Sequence, residues 1–445
     1  MSLSVAPAGA INLAVGHPSA SLLPASELAS ACRSLATKLD ASHAGLNYGR
    51  CAGDAAYTQA LAAWLTARGG EANPPTRADR LFSTNGVSHG LDMCVPHLLA
   101  SLVLMLKLRR VCAALTTLGD VVVVARPTYF LAADVFRDAG LELVEIPSDE
   151  GGGLDVDALE KALTEGMRPR LLYVVPTHAN PSGGTMGDAA RQRLVSLAER
   201  FSFFILSDDV YQLLTWAPVT RRLRSFDLDG PGAGGDFDGD DKPLSVSTEL
   251  PLPLSPIPGC LVVSVGSFSK IAAPGLRVGW VEAAPAVLER LCARAYVVSG
   301  GGVAQFSSML VTEALTSGGV DSGLDAILTG LRSRCDAMAA AVASHADAAG
   351  WSFVPPLGGY FLWLRLPDGV EGKEVAPAAR ERGVIVLDGA RCCATQAAAP
   401  RTGGPADAGA HVRLCFANQP VDAIQRGVAL LAGIVAEARA KRAVL

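Results

Sequence analysis

Hydrophobic residues along the chain fall into short continuous runs that are separated by stretches with helical spacing. The runs are rich in valine, isoleucine and leucine and predict buried strands at 120–127, 141–147, 170–176, 203–209 and 259–267. Segments 157–166 and 188–201 carry apolar residues at helical spacing and predict helices. Continuous apolar strands that alternate with helices indicate an α/β fold with a mainly parallel sheet covered on both faces. We expect the ligand of such a sheet beyond the carboxyl ends of its strands.

The alternation is interrupted twice and changes character near the C-terminal end. Residues 219–259 are rich in glycine, aspartate and proline, which predicts a mobile surface insertion outside the core. The most apolar window, 93–110, is broken by polar residues and a proline, so a buried helix is favoured over a membrane span. From about residue 306, helical patterns lead to short apolar runs, which predict a smaller α+β domain.

Composition excludes several classes of protein. The chain has 445 residues, half of them hydrophobic, and a net charge of −5, which suits two domains and gives no basic face for nucleic acid. Its first residues resemble neither a secretory signal nor a transit peptide. Ten cysteines show no metal-ligand spacing, and Ser247 stands where a calcium loop starting at Asp236 would need glutamate. We therefore expect a soluble protein of a reducing compartment, the cytoplasm, with no structural metal and no membrane partner.

Polar side chains follow three of the predicted strands. Asn180 comes after the run at 170–176, Asp208 and Tyr211 come after the apolar part of the run at 203–209, and Lys270 follows the run at 259–267. Taken singly, these residues would be a turn, a helix cap and a solvated lysine. Because the ends of neighbouring parallel strands meet at one edge of the sheet, the set predicts a ligand site there.

A further segment, "STNGVSHGLDM" at 83–93, predicts a glycine turn that opens a helix. The free backbone N–H groups at such a helix start suit a phosphate, and no Walker sequence follows. An aldehyde cofactor with a phosphate and a pyridine ring would use all these groups. A lysine would form a Schiff base with it, a carboxylate would keep the ring nitrogen protonated, and an arginine with hydroxyls would hold the phosphate.

The segments "SFSKIAAPGLRVGW" at 267–280, "TNGVSHGL" at 84–91 and "THANPSGG" at 177–184 together resemble those of the class I/II aminotransferases of fold type I. These enzymes depend on pyridoxal 5′-phosphate, and the resemblance runs from about residue 11 to 435. It implies that Lys270 is the Schiff-base residue. It also implies cofactor-binding roles for the side chains of Ser267, Ser269 and Arg277 and for the backbone of Gly86, Val87 and Ser88.

The same resemblance assigns roles around the ring and the substrate. Tyr129 would stack on the pyridine ring, with Asn180 and Tyr211 at its phenolic oxygen and Asp208 at its nitrogen, and Lys270 would carry the α-proton. Substrate binding falls to Gly16, Asn180 and Arg413, of which the arginine would hold the α-carboxylate. Tyr48 matches a tyrosine that reaches the phosphate of the neighbouring subunit, so the resemblance implies a homodimer with shared active sites.

The resemblance also implies the domain organisation. An N-terminal arm with part of a small domain would span 1–47, and a small C-terminal domain would span 306–445. The large cofactor-binding domain would lie at 48–305, with insertions at about 100–115 and 219–259. The first insertion makes the stretch after the phosphate turn longer than the family usually has.

Other reactions and functions compete with transamination. A carbon–sulfur lyase or a 1-aminocyclopropane-1-carboxylate synthase would use the same cofactor residues, so these alternatives stay open. Ser267-x-x-Lys270 also fits serine β-lactamases, but their later motifs are absent in the required order. We do not expect a transcription regulator, because it would need a DNA-binding module ahead of residue 11. We expect a transaminase that accepts 2-aminoadipate or aromatic donors with 2-oxoglutarate as acceptor, although no residue could be assigned to a side-chain carboxylate.

Overall fold

The structure is a computed structural model that describes residue 7 and residues 9–95, 114–235, 254–395 and 407–443. Its strands are β1 (Ile11–Asn12), β2 (Leu81–Thr84), β3 (Val121–Arg126), β4 (Glu142–Pro147), β5 (Leu171–Val174), β6 (Phe204–Asp208), β7 (Val262–Ser267), β8 (Gly279–Glu282), β9 (Ser352–Phe353), β10 (Phe361–Arg365), β11 (Val384–Ile385), β12 (Leu387–Asp388) and β13 (His411–Cys415). Its α-helices are α1 (Ala25–Ala41), α2 (Ala55–Gly69), α3 (Val87–Cys94), α4 (Phe130–Asp138), α5 (Val156–Thr164), α6 (Asp188–Phe201), α7 (Phe268–Ile271), α8 (Pro285–Cys292), α9 (Ala295–Gly300), α10 (Gln305–Thr316), α11 (Gly319–Ser344), α12 (Ala346–Ala349), α13 (Gly372–Glu381) and α14 (Val421–Ala443).

The larger sheet is mostly parallel and has the strand order β2-β8-β7-β6-β5-β3-β4. Strands β4, β3, β5, β6 and β7 run parallel, while β8 is antiparallel to both of its neighbours. Successive residues of β3 alternate between two hydrophobic clusters, with Val122 and Val124 in one and Val123 in the other. The sheet is therefore buried on both faces, which explains the unbroken apolar runs and confirms the predicted α/β fold class.

Helices next to this sheet begin and end where local signals predict. Helix α6 covers the predicted range 188–201, and α5 begins after Asp155, whose carboxylate accepts a hydrogen bond from the backbone N–H of Ala158 at 2.9 Å. Such a cap satisfies a backbone donor that the first helical turn leaves free.

A second, antiparallel sheet has the strand order β12-β13-β10-β9. The N-terminal strand β1 joins this part of the chain by parallel pairing with β11, with Ile11 opposite Val384 and Asn12 opposite Ile385. The first and last parts of the chain thus lie side by side. The domain boundaries at 1–47, 48–305 and 306–445 stay predictions.

The prediction that 219–259 lies outside the core is wrong for its described ends. Arg222 forms a buried ion pair with Glu282 of β8, and Asp227 accepts hydrogen bonds from the backbone N–H groups of Leu261 at 2.7 Å and Val262 at 2.8 Å. The charged residues are buried because these partners satisfy them, which composition alone does not reveal.

Two sequence predictions fall wholly or partly outside the described residues. The acidic run at 236–241 is one, and most of the predicted buried helix at 93–110 is the other. Met93, Cys94 and Val95, which begin that window, are fully buried. Within the described ranges, no helix is long and apolar enough to cross a membrane.

Candidate active site

The carboxyl ends of β5, β6 and β7 open into a cavity of about 490 Å³. This volume lies within the range of small-molecule sites. Most of the residues predicted for the site line it: Gly16, Val87, Ser88, Tyr129, Asn180, Asp208, Tyr211, Ser267, Ser269, Lys270, Arg277 and Arg413. Gly86 lies directly before α3 at the edge of this cavity, and Tyr48 does not line it.

Lys270 lies on the short helix α7, which follows β7 directly. Ser267 caps this helix, since its hydroxyl accepts a hydrogen bond from the backbone N–H of Ser269 at 3.0 Å. The Lys270 amine donates to the carbonyl of Gly16 at 2.7 Å. Burial lowers the pKa of Lys270 to about 8, and the positive charge of Arg413 acts in the same direction. About a tenth of the amine is therefore neutral, and nucleophilic, at pH 7, far more than for a solvated lysine.

Asp208 ends β6 and is almost fully buried in the cavity wall. The Tyr173 hydroxyl donates a hydrogen bond to Oδ2 of Asp208 at 2.8 Å, whereas Oδ1 has no hydrogen-bond partner among the described residues. Burial raises the pKa of Asp208 to about 7, and the neighbouring Asp209 adds to the increase. The free oxygen is thus a buried group that a cationic N–H of a ligand would satisfy.

The turn before α3 and Arg277 form one corner of the cavity. Gly86 has a φ of 86°, in the left-handed region, and is followed by the first residue of α3. Arg277 also has a positive φ of 49°, and its guanidinium donates from Nη2 to the carbonyl of Asn85 at 3.0 Å. A guanidinium is therefore held against a helix start, where backbone N–H groups are free, and this combination suits an anion.

Arg413 joins three parts of the chain at the opposite side of the cavity. It lies on β13, and its guanidinium donates from Nη1 to the Asn180 side-chain oxygen at 2.7 Å and from Nη2 to the Ala14 carbonyl at 2.5 Å. The guanidinium carbon lies 4.1 Å from the centroid of the Phe361 ring. These contacts fix the planar group in one orientation, as recognition of a carboxylate requires.

Two tyrosines line the wall between Arg413 and Asp208. Burial raises the pKa of Tyr129 to about 12, and burial also raises the pKa of Tyr211 well above its usual value. Both hydroxyls therefore stay protonated at neutral pH and can donate hydrogen bonds. The Tyr211 ring packs against Tyr360 and Phe361, which hold it in place.

Tyr48 is the predicted site residue that the folded chain leaves apart from the cavity. Its side chain is 81% exposed. It follows a short 3-10 turn at Ala44–Leu46. Its position is compatible with a role outside its own subunit, and that role stays a prediction.

Several residues of the cavity were missed by sequence reasoning. His17 follows Gly16, and burial together with the charge of Lys270 lowers the pKa of His17, so its ring is mainly uncharged at neutral pH. In the sequence, the position of His17 next to Gly16 could have identified it as a cavity residue. Phe361 and Arg391 in the cavity lining, and Tyr173 next to Asp208, come together only through strand pairing and turns, so no local motif points to them.

Comparisons with known proteins bear on this cavity. A family model described as "Aminotransferase class I and II" matches residues 8–431. The chain is 27% identical to aromatic-amino-acid aminotransferase 1 of Thermococcus litoralis over 96% of its own length and 88% of that protein. It superposes with a TM-score of 0.76 on a multiple substrate aminotransferase from Thermococcus profundus, at 25% identity, covering 98% of this chain and 93% of that one. For the α-aminoadipate aminotransferase of Thermus thermophilus, solved with N-(5'-phosphopyridoxyl)-L-leucine, the TM-score is 0.73 at 25% identity, covering 98% of this chain and 94% of that one.

Proposed function

Since the chain belongs to the class I and II aminotransferase family, we propose that it is a broad-specificity transaminase for 2-aminoadipate and aromatic amino acids. The chain is an enzyme that transfers amino groups between amino acids and 2-oxo acids, and its cofactor is pyridoxal 5′-phosphate. The proposed donor range is supported by the names of the relatives, which act on aromatic amino acids, on multiple substrates and on α-aminoadipate. These names favour transamination over the lyase and cyclopropane-carboxylate synthase alternatives.

The residues of the cavity fit this cofactor on two observations. The buried Oδ1 of Asp208 lacks a partner among the described residues, and a protonated pyridine nitrogen would supply the missing donor. At the other end, the turn at Gly86 and the guanidinium of Arg277 leave a corner suited to a phosphate. A carboxylate and an anion site in the lining of one cavity match the two polar ends of the cofactor.

We assign the cofactor-binding roles accordingly. Bound pyridoxal 5′-phosphate supplies a carbonyl carbon for an amine and a ring that accepts electrons. Its phosphate would be held by the backbone of Gly86, Val87 and Ser88 and by the side chains of Ser267, Ser269 and Arg277. Tyr129, Asn180, Asp208 and Tyr211 would hold its ring. These assignments are proposals that the cavity lining and the hydrogen-bond donors and acceptors described above support.

Lys270 is the residue that we propose moves the proton. Its amine has a pKa of about 8, so it can release a proton and take one up again close to neutral pH. The Gly16 carbonyl, 2.7 Å away, holds the amine toward the substrate side of the cavity. Arg413 would bind the α-carboxylate of the substrate with its free Nε, which has no partner among the described residues. The observation that carries the proposal is this placement of Lys270, Asp208 and Arg413 around one cavity.

We also propose that the working unit is a homodimer. Large apolar side chains are exposed on two segments near the cavity: Leu46 and Tyr48 on one, and Tyr296, Val298 and Phe306 on the other. The second segment adjoins the phosphate corner, because the Tyr296 hydroxyl lies 2.6 Å from Nε2 of His89 on α3. The two segments adjoin each other, since a Cβ atom on Gly49 would lie 2.1 Å from the Gln305 side chain. Large apolar side chains exposed on adjoining segments suit contact with a second subunit. A cytoplasmic location stays a prediction.

The proposal is tested by a half-reaction with the purified holoenzyme and no 2-oxo acid. Single additions of 2-aminoadipate and of phenylalanine should abolish the visible absorbance of the lysine-bound cofactor and release one 2-oxo acid per site. The Lys270→Ala variant, which lacks the amine, is the control and should show neither change. A parallel addition of a β-substituted amino acid tests the lyase alternative. Repeated release of ammonia and pyruvate from that compound alone, with the visible absorbance persisting and no reaction of the two donors above, would show a lyase and contradict transamination.

A further inference from the structure

Arg391 reaches the cavity from the turn that follows β12. In the second sheet Leu387 of β12 is paired with Arg413 of β13, so the chain passes beside Arg413 and then enters a 3-10 turn at Gly389–Cys392. Arg391 lies on this turn and lines the same cavity as Arg413 and Lys270. The cavity therefore contains a guanidinium that none of the roles above uses.

The turn that carries Arg391 is fixed by hydrogen bonds and by a buried side chain. Asp388 accepts a hydrogen bond from the backbone N–H of Ala390 at 3.0 Å, and the Cys392 carbonyl accepts one from the backbone N–H of Thr128 at 2.8 Å. The Cys392 side chain is fully buried in a small apolar cluster with Ala14 and Leu387. Arg391 is thus mounted on a fixed turn whose neighbour, Thr128, directly precedes Tyr129 of the cavity wall.

Neighbouring atoms also pack closely against the backbone of this turn. A Cβ atom on Gly389 would lie 2.2 Å from the carbonyl oxygen of Ala408 and 2.6 Å from the Trp363 ring. Both distances are shorter than non-bonded atoms allow, so only glycine fits. A binding group on such a close-packed turn keeps its position when a ligand arrives.

The nearby Asp388 carboxylate attracts the guanidinium of Arg391 but does not form an ion pair with it. No hydrogen bond or ion pair to this guanidinium is found among the described residues, and its nearest aromatic contact is Phe130, with 5.9 Å between the guanidinium carbon and the ring centroid. The other cations around the adjoining cavity of about 1040 Å³ each have an acidic partner: Arg126 with Glu145, Arg137 with Asp134, Arg365 with Asp368, and Lys373 with Glu371. Arg391 differs from them because its fork of donors remains available to a ligand.

We propose that Arg391 binds the distal carboxylate of dicarboxylic amino acids and 2-oxo acids, such as 2-aminoadipate and 2-oxoglutarate. This rests on the proposed function and names the residue that sets its preference for acidic substrates. Arg413 would hold the α-carboxylate at one end of the substrate and Arg391 the second carboxylate at the other. With Arg277 at the phosphate corner, the other two guanidiniums of this cavity match a molecule with two carboxylates.

The same placement accounts for neutral and aromatic donors. Their side chains carry no second carboxylate, so they would lie against Phe130 and Leu131 of the cavity wall without using Arg391. Arg391 therefore contributes to substrate choice and takes no part in proton transfer. Its loss should affect acidic substrates alone.

The first test measures binding without turnover. Glutarate and pentanoate have the same chain length but differ by one carboxylate, and isothermal titration calorimetry of the holoenzyme gives the dissociation constant of each. The unaltered protein should bind glutarate about 10- to 100-fold more tightly than pentanoate, as a charge-assisted pair provides. Arg391→Gln should lose this preference, whereas the matched control Arg365→Gln should keep it. Arg391 is exposed, so the fold should be unaffected, and a thermal melt checks this.

The second test uses the half-reaction. In Arg391→Gln, kcat/KM for 2-aminoadipate should fall about 10- to 100-fold through KM, while kcat/KM for phenylalanine should stay within about twofold. An unchanged glutarate preference and unchanged 2-aminoadipate kinetics in this variant would overturn the role of Arg391 and leave transamination intact. Failure of the unaltered enzyme to convert any donor would instead overturn the proposed function.

Discussion

The properties of Lys270 depend on what surrounds its amine. Burial removes the ammonium form from water, and the guanidiniums of Arg413 and Arg277 disfavour it further, while Asp208 partly offsets them. The result is a pKa of about 8, against 10.5 for an ordinary lysine. Lys270 is therefore prepared for attack on a carbonyl carbon.

This pKa gives a pH dependence that can be measured directly. Only the neutral amine attacks, so the rate at which the apoenzyme captures pyridoxal 5′-phosphate should rise with pH, with a midpoint near 8, and level off above it. Stopped-flow absorbance follows the capture, and borohydride reduction traps the product on Lys270. The variant Lys270→Ala is the control and should trap nothing at this position. A midpoint close to that of a solvated lysine would contradict the inferred burial effect.

At the residue scale, the sequence predicts most of the residues that line the cavity, but it does not predict that Arg391 is one of them. Asn180, Asp208 and Lys270 were predictable because each follows an apolar run at a strand end. Arg391 was not, because its approach to Arg413 depends on antiparallel pairing between β12 and β13. When strand pairing brings together residues that are far apart in sequence, the local sequence around each residue does not predict the contact.

At the scale of elements, the phosphate corner depends on the backbone of the turn before α3. Gly86 has a φ of 86°, and a Cβ atom on it would lie 3.1 Å from Nη2 of Arg277. A side chain at residue 86 would therefore strain the backbone and push the guanidinium away from the turn. The helix start and Arg277 act as one binding element.

Replacing Gly86 by alanine should weaken phosphate binding. The added methyl group strains the left-handed backbone by about 1 kcal/mol and crowds Arg277, so the affinity of the apoenzyme for pyridoxal 5′-phosphate should fall roughly tenfold or more. Equilibrium titration by absorbance measures this. Gly433→Ala is the matched control, because Gly433 lies in α14 with open space around its Cα, and it should leave the affinity unchanged. Equal affinities in the two variants would show that the turn does not hold the phosphate.

The sequence predicts an element well where burial alone determines its apolar pattern. It predicts a segment poorly where ion pairs and hydrogen bonds allow polar residues to be buried. Strands β3, β5, β6 and β7 are mainly apolar because both faces of the sheet are covered there, and the ranges of β3 to β7 agree with the sequence pattern within a few residues. The segment from 219 was assigned to the surface for its polarity, yet Arg222 and Asp227 are buried. Their ion pair and hydrogen bonds compensate the burial, and such partners lie far away in sequence.

At the scale of the whole molecule, Tyr48 is the feature that a single chain does not explain. Its ring is largely exposed and lies on the apolar surface formed by the segments around residues 46 and 296–306. If a second subunit covers this surface, Tyr48 would reach the partner's site, as the family resemblance implies. The proposed dimer would thus supply part of each active site.

Mixed dimers provide the test. Tyr48→Ala and Lys270→Ala should each have little activity alone, since each damages every site. When the two differently tagged chains are co-expressed and the mixed dimer is purified, one site per dimer should combine an intact Lys270 with an intact Tyr48 from the other chain. We expect recovery of up to about half of the unaltered activity, because one of the two sites is restored. No recovery in the mixed dimer would mean that Tyr48 acts within its own chain or not at all.

The contacts of Ala14 and Gly16 have a consequence for how the enzyme is made. Gly16 holds the Lys270 amine across 254 positions of the chain, and Ala14 holds Arg413 across 399. A ribosome delivers the chain from its N-terminal end, so the substrate pocket cannot close until Arg413 has been synthesised. The growing polypeptide therefore carries its reactive lysine without a working catalyst until that arginine can join Ala14.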